Sequence, residues 1–459
     1  MTQAKRFVCI GTILTLALGA GLRASAQEQP FPTSLKLHPE AEPRPALKYK
    51  LLPPFTERTP GNAAVFYGKV TGEAGSYFAD RMRDEELERW QVTPLAELAG
   101  QRIPLMNVGM IERAARCDTC DWQLPLRESS DPMGIPLPEV QQTRTFARII
   151  AVKARLLVAN GEFDTAVHAL QTGYALGRHV AQGQTVVNSL VGLRHFSTMN
   201  RQVATFIQQP GAPNLYWALT NLPRPLVDPS DALEFERNMI EMSFPTLRDL
   251  ESMTHRAEEW QDILYRLARQ MAANGRSPQF SAAKFEEACR QLHPEAKRAM
   301  VERGLTRAQV NAMSMHQVIL LSTIRTYHDL FDRGTKQFWT AYPEAIRGFD
   351  AAIEQAEQAK ELIPIGLTTL KALRAARTTI ARMEREIALL RIAEALRIYA
   401  ASHPGQLPGS LDEIKTVPIP VDPATDAAFD YRVENEKATI SGPPLSDTPL
   451  SLEISLARQ

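Results

Sequence analysis

Apolar residues recur every three or four positions along most of this chain and every second position near its end. The longest helical pattern runs from Leu367, where Ile380, Met383, Ile387, Leu390, Ala393, Leu396 and Tyr399 share one face. Ile363-Pro364-Ile365-Gly366 is the hinge into it. Ser402-His403-Pro404-Gly405 ends it, because proline and glycine do not continue a helix. A second regular region is a helical pair. Phe146, Ile150, Ala154 and Leu157 form one stripe, Asn160-Gly161 breaks it, and Phe163, Val167, Leu170 and Tyr174 form the returning stripe. So short a turn predicts antiparallel packing. Gly173 and Gly177 predict close approach of a third helix, for which Thr185 to Gln208 is the candidate.

Shorter helices are expected over Ala63–Val70, Glu85–Gln91 and Gly109–Arg116. Asp228-Pro229-Ser230-Asp231 reads as a helix start, with a capping side chain and proline at the first helical position. Ser281 to Arg303 is expected to hold two short helices broken at His293-Pro294. Thr306 and Gln309 fit a capping box opening one helix that carries Val310, Met313, Leu320, Ile324, Tyr327 and Phe331. Asp350 to Glu361 reads as a solvated helix, and Ser410 to Glu413 as a second capping box. The helical pair resembles a tetratricopeptide-type unit, but only one such unit is recognisable.

Period-two alternation marks strands. Leu47, Tyr49 and Leu51 alternate with lysines inside the proline-rich stretch Gln27–Pro60. At the end of the chain the runs are Phe429-Tyr431-Val433, Ala438-Ile440 and Leu450-Leu452-Ile454-Leu456, the first two joined by the polar turn Glu434–Lys437. The expected architecture is mainly α: a multi-helix bundle or short tetratricopeptide-like array, followed by a C-terminal α+β module. In that module one face of the long helix covers a small antiparallel sheet. The expected divisions are 1–26, 27–61, 62–365 and 366–459.

Composition adds compartment and excludes some partners. Residues 1–26 read as a secretory signal: Lys5 and Arg6, the apolar run Phe7–Leu22, then Ala24-Ser25-Ala26 as the cleavage site. The expectation is export to the periplasm or cell exterior, with no membrane span in the mature chain. Lys+Arg and Asp+Glu stand at 52 each, which argues against a basic groove for nucleic acid and points to protein or peptide partners. Beyond the signal only Cys117, Cys120 and Cys289 remain, so a hydrophobic core rather than disulfides must stabilise the fold.

Candidate chemistry is sparse. Cys117-Asp118-Thr119-Cys120 has redox or metal spacing, yet a second cysteine pair is lacking and a proline-rich loop follows. A disulfide between Cys117 and Cys120 or with Cys289, free thiols, and a metal or redox role all stay open. Asp422, Asp426 and Asp430 are weak metal candidates without EF-hand spacing. His168, His179 and His195 lie in the helical region. His255 with Glu258 and Glu259 lacks the second histidine of a metalloprotease helix. His328 and Asp329 are adjacent and so point to different helix faces. Tyr216-Trp217 and Phe338-Trp339 are aromatic pairs for a groove or for the core. No nucleophile elbow, phosphate-binding glycine loop or dinucleotide fingerprint is present, and no cofactor is implied.

The order His403-Pro404-Gly405-Gln406-Leu407-Pro408, Ser410-Leu411, Pro420-Val421-Asp422-Pro423, Phe429-Asp430-Tyr431-Arg432 resembles the globular end of type II secretion pseudopilins. Some pseudopilins bind calcium in the matching loop. The resemblance covers about the last fifth of the chain and lacks the prepilin peptidase site and assembly helix, so pilus assembly is not implied. Ala46–Tyr49, Pro60–Ala64 and Cys120–Trp122, with the C-terminal pattern, make the whole chain similar to a family of exported proteins of planctomycete-type bacteria. That similarity implies export and architecture, and no activity. Three functional readings follow: an exported helical scaffold or binding protein, a structural part of an envelope or secretion assembly, and a hydrolase with scattered site residues.

Overall fold

The computed structural model describes residues 30–457 apart from 74–80, 104–107, 130–131, 133–134, 136, 253–254, 275–280, 359–361 and 446–449. The expected signal and its cleavage site lie outside the described residues. The described residues form 15 helices and a four-stranded sheet built largely from the C-terminal residues. The protein is therefore mainly α with a C-terminal α+β part. The chain divides into two compact units. One comprises Gln29–Gln123, Leu137–Asp231 and Thr378–Gln459; the other comprises Leu124–Pro136 and Ala232–Arg377.

The first unit begins with β1 (Ser34–Leu37). The strand expected at Leu47, Tyr49 and Leu51 does not form. Residues 44–52 instead bend and turn, with Lys48 N–H bonded to Pro45 O at 2.9 Å. The flanking prolines remove the donors a ladder needs. After β2 (Thr59–Asn62) come α1 (Ala63–Glu73), α2 (Arg81–Val92), α3 (Leu95–Leu98), α4 (Val108–Ala115) and β3 (Cys117–Thr119). β2 and β3 pair in parallel, Thr59 opposite Cys117 and Asn62 opposite Thr119.

The expected helical pair is α5 (Pro138–Ala159) and α6 (Phe163–Ala181), joined at Gly161, whose φ of 76° suits glycine. The third helix, α7 (Val186–Phe206), packs along α6. A Cβ on Gly192 would stand 2.6 Å from the backbone oxygen of Gly177, and one on Gly177 would stand 2.9 Å from the Phe196 ring. The glycines thus permit the approach that the sequence predicts. α8 (Tyr216–Thr220) is short, and Asp228 then receives the Ser230 N–H at 3.0 Å as the cap of α9 (Ser230–Ser243).

The second unit continues with α10 (Ala257–Asn274) and α11 (Ala282–Glu302). α11 corrects the expectation of two helices broken at His293-Pro294, because Pro294 lies inside one helix. Cys289, Ala296 and Met300 are buried on either side of it, and α11 packs on α13 (Met315–Lys336), so tertiary contact holds the helix through the proline. The helix opened by the Thr306–Gln309 capping box is only α12 (Arg307–Ala312). Met313 is extended, and the Ser314 hydroxyl caps α13 afresh by accepting from Gln317 N–H at 3.2 Å. α14 (Tyr342–Gln358) starts earlier than expected and is not fully solvated: Tyr342, Ala345, Phe349, Ala352 and Ala356 are buried.

α15 (Ile365–Ser402) spans 38 residues. Within the second unit, Leu370 and Leu373 pack on Gly334, where any side chain would collide with them. From Thr378 onward α15 belongs to the first unit, and between Arg385 and Ala400 it is buried on nearly every side rather than on one face. Its apolar residues cannot supply that burial alone, since Arg385, Glu386, Arg391, Glu394 and Arg397 are buried with them. Each is paired. Arg385 Nε and Nη2 donate to the two carboxylate oxygens of Asp422 at 2.8 and 2.7 Å. Glu386 accepts from Asn200 Nδ2 at 2.9 Å, and Asn200 Oδ1 in turn accepts the Tyr174 hydroxyl at 2.6 Å. Arg391 donates to Thr220 Oγ1 and to the Tyr216 oxygen. Glu394 accepts from Arg397 Nη1 at 2.8 Å and from Leu215 N–H at 2.6 Å. The remaining Arg397 nitrogens reach the backbone oxygens of His38 and Ala212.

The C-terminal strands are β4 (Asp430–Glu434), β5 (Lys437–Gly442) and β6 (Leu450–Leu456). β4–β5 is the expected hairpin. Asn435 and Glu436 have φ of 51° and 65°, as a two-residue primed turn requires. The sheet order is β1-β6-β5-β4, and β1 joins in parallel with Leu35 opposite Ile454. Leu35, Leu37, Ala438, Ile440, Leu452 and Ile454 form its buried face. α15 is tied beside this sheet: His38 O, just past β1, holds Arg397, and Pro443 O, just past β5, holds Arg385 at 2.9 Å.

Two outcomes test this core. Glu394→Ala strands the buried Arg397 charge and should lower the unfolding free energy by about 3–5 kcal/mol, whereas Glu394→Leu with Arg397→Met should cost much less, read by urea denaturation. Gly192→Ala should cost about 1–3 kcal/mol in the same assay, because backbone and not a movable side chain blocks the new methyl.

Candidate functional site

The first unit contains a pocket of about 350 Å³ lined by Thr59, Pro60, Phe66, Glu112, Arg113, Arg116 and His168. These residues come from β2, α1, the end of α4 and α6. A short knot of hydrogen bonds brings the first three elements together. Asn62 is its centre: its Oδ1 caps α1 through Ala64 N–H at 3.0 Å and also accepts Asp121 N–H at 2.9 Å. Its Nδ2 donates to Asp121 O at 2.8 Å. Thr119 Oγ1 donates to Gly61 O, Gly61 N–H to Asp118 Oδ1, and Thr59 N–H to Arg116 O. Gly61 has φ of 147°, and a Cβ there would point at the Cys117 sulfur.

Arg116 sits at the C-terminal end of α4, where a cation is favoured by the helix dipole. Its Nη1 donates to Glu112 O at 3.0 Å, its Nη2 contacts His168, and its Nε faces Glu57 at 3.9 Å. Burial and the Arg116 charge hold the His168 pKa below the usual histidine value, so the imidazole is neutral at pH 7. Glu112 is neutralised by Lys153 Nζ at 2.5 Å. The Arg113 guanidinium lies 4.7 Å from the centre of the Phe66 ring. The pocket thus combines apolar walls with two guanidinium groups.

Tyr67, next to Phe66 in α1, belongs to an aromatic cluster. Trp122 stacks on Tyr67 with ring centres 5.7 Å apart, and its Nε1 donates to His179 O at 3.0 Å. Tyr67 Oη and His179 Nδ1 are 3.1 Å apart. Burial pushes the His179 pKa down to about 4.

The three histidines are not gathered: His168 meets Arg116, His179 meets Tyr67, and His195 meets Thr143 Oγ1 at 2.8 Å. Cys117 and Cys120 stand as free thiols, as does Cys289. Burial raises all three thiol pKa values, Cys289 to about 12, which disfavours the thiolate. Asp422 is consumed by Arg385, Asp426 occupies a left-handed turn position with φ of 57°, and Asp430 pairs with Arg432 at 3.1 Å. Among the described residues no group of three or more His, Cys, Asp or Glu side chains is arranged to hold a metal. His255 bonds Glu259 at 3.1 Å and His328 faces Glu241 at 3.3 Å, both in the second unit. Tyr216 is core, its hydroxyl bonded to Pro418 O, while Trp217 reaches Glu42 at 3.0 Å. Phe338 packs edge-on against Phe349.

Sequence reasoning did not single out Phe66, Glu112, Arg113, Arg116 or Lys153. Their signal is an ordinary charged face on a short helix, indistinguishable from a solvated one until β2 and α6 close around it. No protein-family model, curated protein or solved structure matches the chain. The site is therefore read from its own residues.

The lowered His179 pKa has a stability consequence. The unfolded histidine, near 6.5, takes up a proton before the folded one does, so stability is lost as pH falls from 6.5 towards 4. Between pH 7 and pH 5 the wild type should lose about 2 kcal/mol more than His179→Gln in urea unfolding. Equal losses would show that this histidine is not buried neutral.

Proposed function

We propose that the protein is an exported helical binding protein whose first unit holds a small molecule or peptide end in the pocket at Arg113, Arg116 and Phe66. The supporting observation is the combination in that pocket: apolar walls, fixed guanidinium groups, and an internally neutralised Glu112. Its one histidine is held against Arg116, and the nearby thiols are disfavoured as thiolates. A site with these contents is built to hold rather than to transform. Export follows from the residues ahead of Gln27 and completes the reading.

Two measurements test it. The secreted or periplasmic product should begin at or near Gln27 by N-terminal sequencing; a product retaining residues 1–26 argues against export by cleavage. A thermal-shift screen of the purified protein, with acids, amines, neutral compounds and chromogenic hydrolase substrates, should yield ligands whose effect is lost in Phe66→Ala. At 100 times its Kd a ligand should add about 2.7 kcal/mol of stability. A screen with no ligand, or a substrate consumed at a rate that depends on Arg116, would overturn the reading.

A further inference from the structure

We propose that the ligand of this pocket is a carboxylate on an apolar body, its anion held by Arg113 and Arg116 and its apolar part resting on Phe66 and Pro60. The proposal rests on the binding reading above and adds the chemistry of the ligand. Arg113 lies in the last turn of α4 and Arg116 just past its end, with Arg116 N–H bonded to Arg113 O at 3.2 Å, and both line the pocket. Arg116 is anchored by Glu112 O and His168, and its Nε has only Glu57 at 3.9 Å, beyond hydrogen-bond reach. Among the described residues, Arg113 meets no carboxylate within ion-pair distance. Its guanidinium carbon lies 4.7 Å from the centre of the Phe66 ring.

The placement of charge favours an anion at Arg113. Glu57 and Glu112 face Arg116 and Lys153, Asp118 is held by the Gly61 N–H, and among the described residues no carboxylate faces Arg113. A planar guanidinium fork matches a carboxylate through two parallel hydrogen bonds. The choice between carboxylate and phosphate is made by the walls. Phe66 and Pro60 offer a hydrated phosphate no polar partner, but they offer an apolar substituent a surface to cover. A volume of about 350 Å³ accommodates one aromatic or branched side chain together with its carboxylate. Free aryl and alkyl acids and the C-terminal residue of a peptide share this chemistry.

The test is isothermal titration of the purified protein with N-acetyl-phenylalanine, its amide, inorganic phosphate, and a short glycine-serine peptide ending in phenylalanine with a free carboxylate. The acid should bind about 10- to 100-fold more tightly than the amide. Arg113→Gln should bring the acid down to the affinity of the amide; Arg113 is exposed, so this variant keeps the fold, checked by circular dichroism. Phe66→Ala should weaken acid and amide alike. Tighter binding of the peptide assigns peptide ends as the source, and equal binding assigns free acids; both sustain the proposal. Acid and amide binding equally, or phosphate matching the acid, overturns the carboxylate assignment and leaves the binding reading intact. If none of these compounds binds while the broader screen finds other ligands, the carboxylate assignment falls alone. If that screen is also empty, both fall.

Discussion

The burial of charge along α15 is the constraint on which the first unit depends. A helix surrounded on all sides is ordinarily apolar on all sides. This one carries Arg385, Glu386, Arg391, Glu394 and Arg397 into the interior, and each would be prohibitive if left unpaired. The structure answers with partners drawn from far along the chain: Asp422, Asn200, Tyr216, and the backbone at His38, Ala212 and Pro443. Burial raises the pKa of Glu386 and Glu394, against the pull of Asn200 on one and Arg397 on the other. Such pairs add little net stability over an apolar core, but they tolerate few alternative arrangements. They set how α15, α7 and the loops flanking the sheet meet.

The candidate pocket is built by the opposite means. Apart from α6, which supplies His168, its walls are short elements, β2, α1 and the end of α4. Backbone and side-chain hydrogen bonds around Asn62, Thr119 and Gly61 hold them, and Tyr67 of α1 packs with Trp122 and His179. Hydrogen bonds are directional, so a site fixed this way holds its cations in place while staying open to solvent on one side. The residues Pro60–Ala64 and Cys120–Trp122 touch each other through Asn62 and Asp121. Their proximity accounts for their chemistry: asparagine to cap and bridge, glycine where the backbone is strained, tryptophan to stack.

Local physics was legible in the chain itself. Helical periodicity placed α5, α6 and α15; Gly161 marked the turn; Gly173 and Gly177 announced the close approach of α7. The Thr306–Gln309 box and the Glu434–Lys437 hairpin followed from side chains a few residues apart. Each of these is decided within one or two turns of chain, where spacing and capping chemistry are sufficient. Local rules also misled where distant contacts overrode them. Pro294 stays inside a helix because α13 covers its neighbours, and the alternating Leu47-Tyr49-Leu51 stays unpaired while Ser34–Leu37 takes the open edge of β6.

The sequence by itself thus determined the helical class, the helical pair α5–α6 and the antiparallel hairpin at its end. The tertiary structure alone decided that the units interleave along the chain, that Asp422 serves Arg385 rather than a metal, and that a pocket exists at all. The physical reason is separation. Arg113 and His168, or Arg397 and His38, become neighbours only after the chain closes over long distances, and charged residues on a helix read the same whether they will face water or a partner.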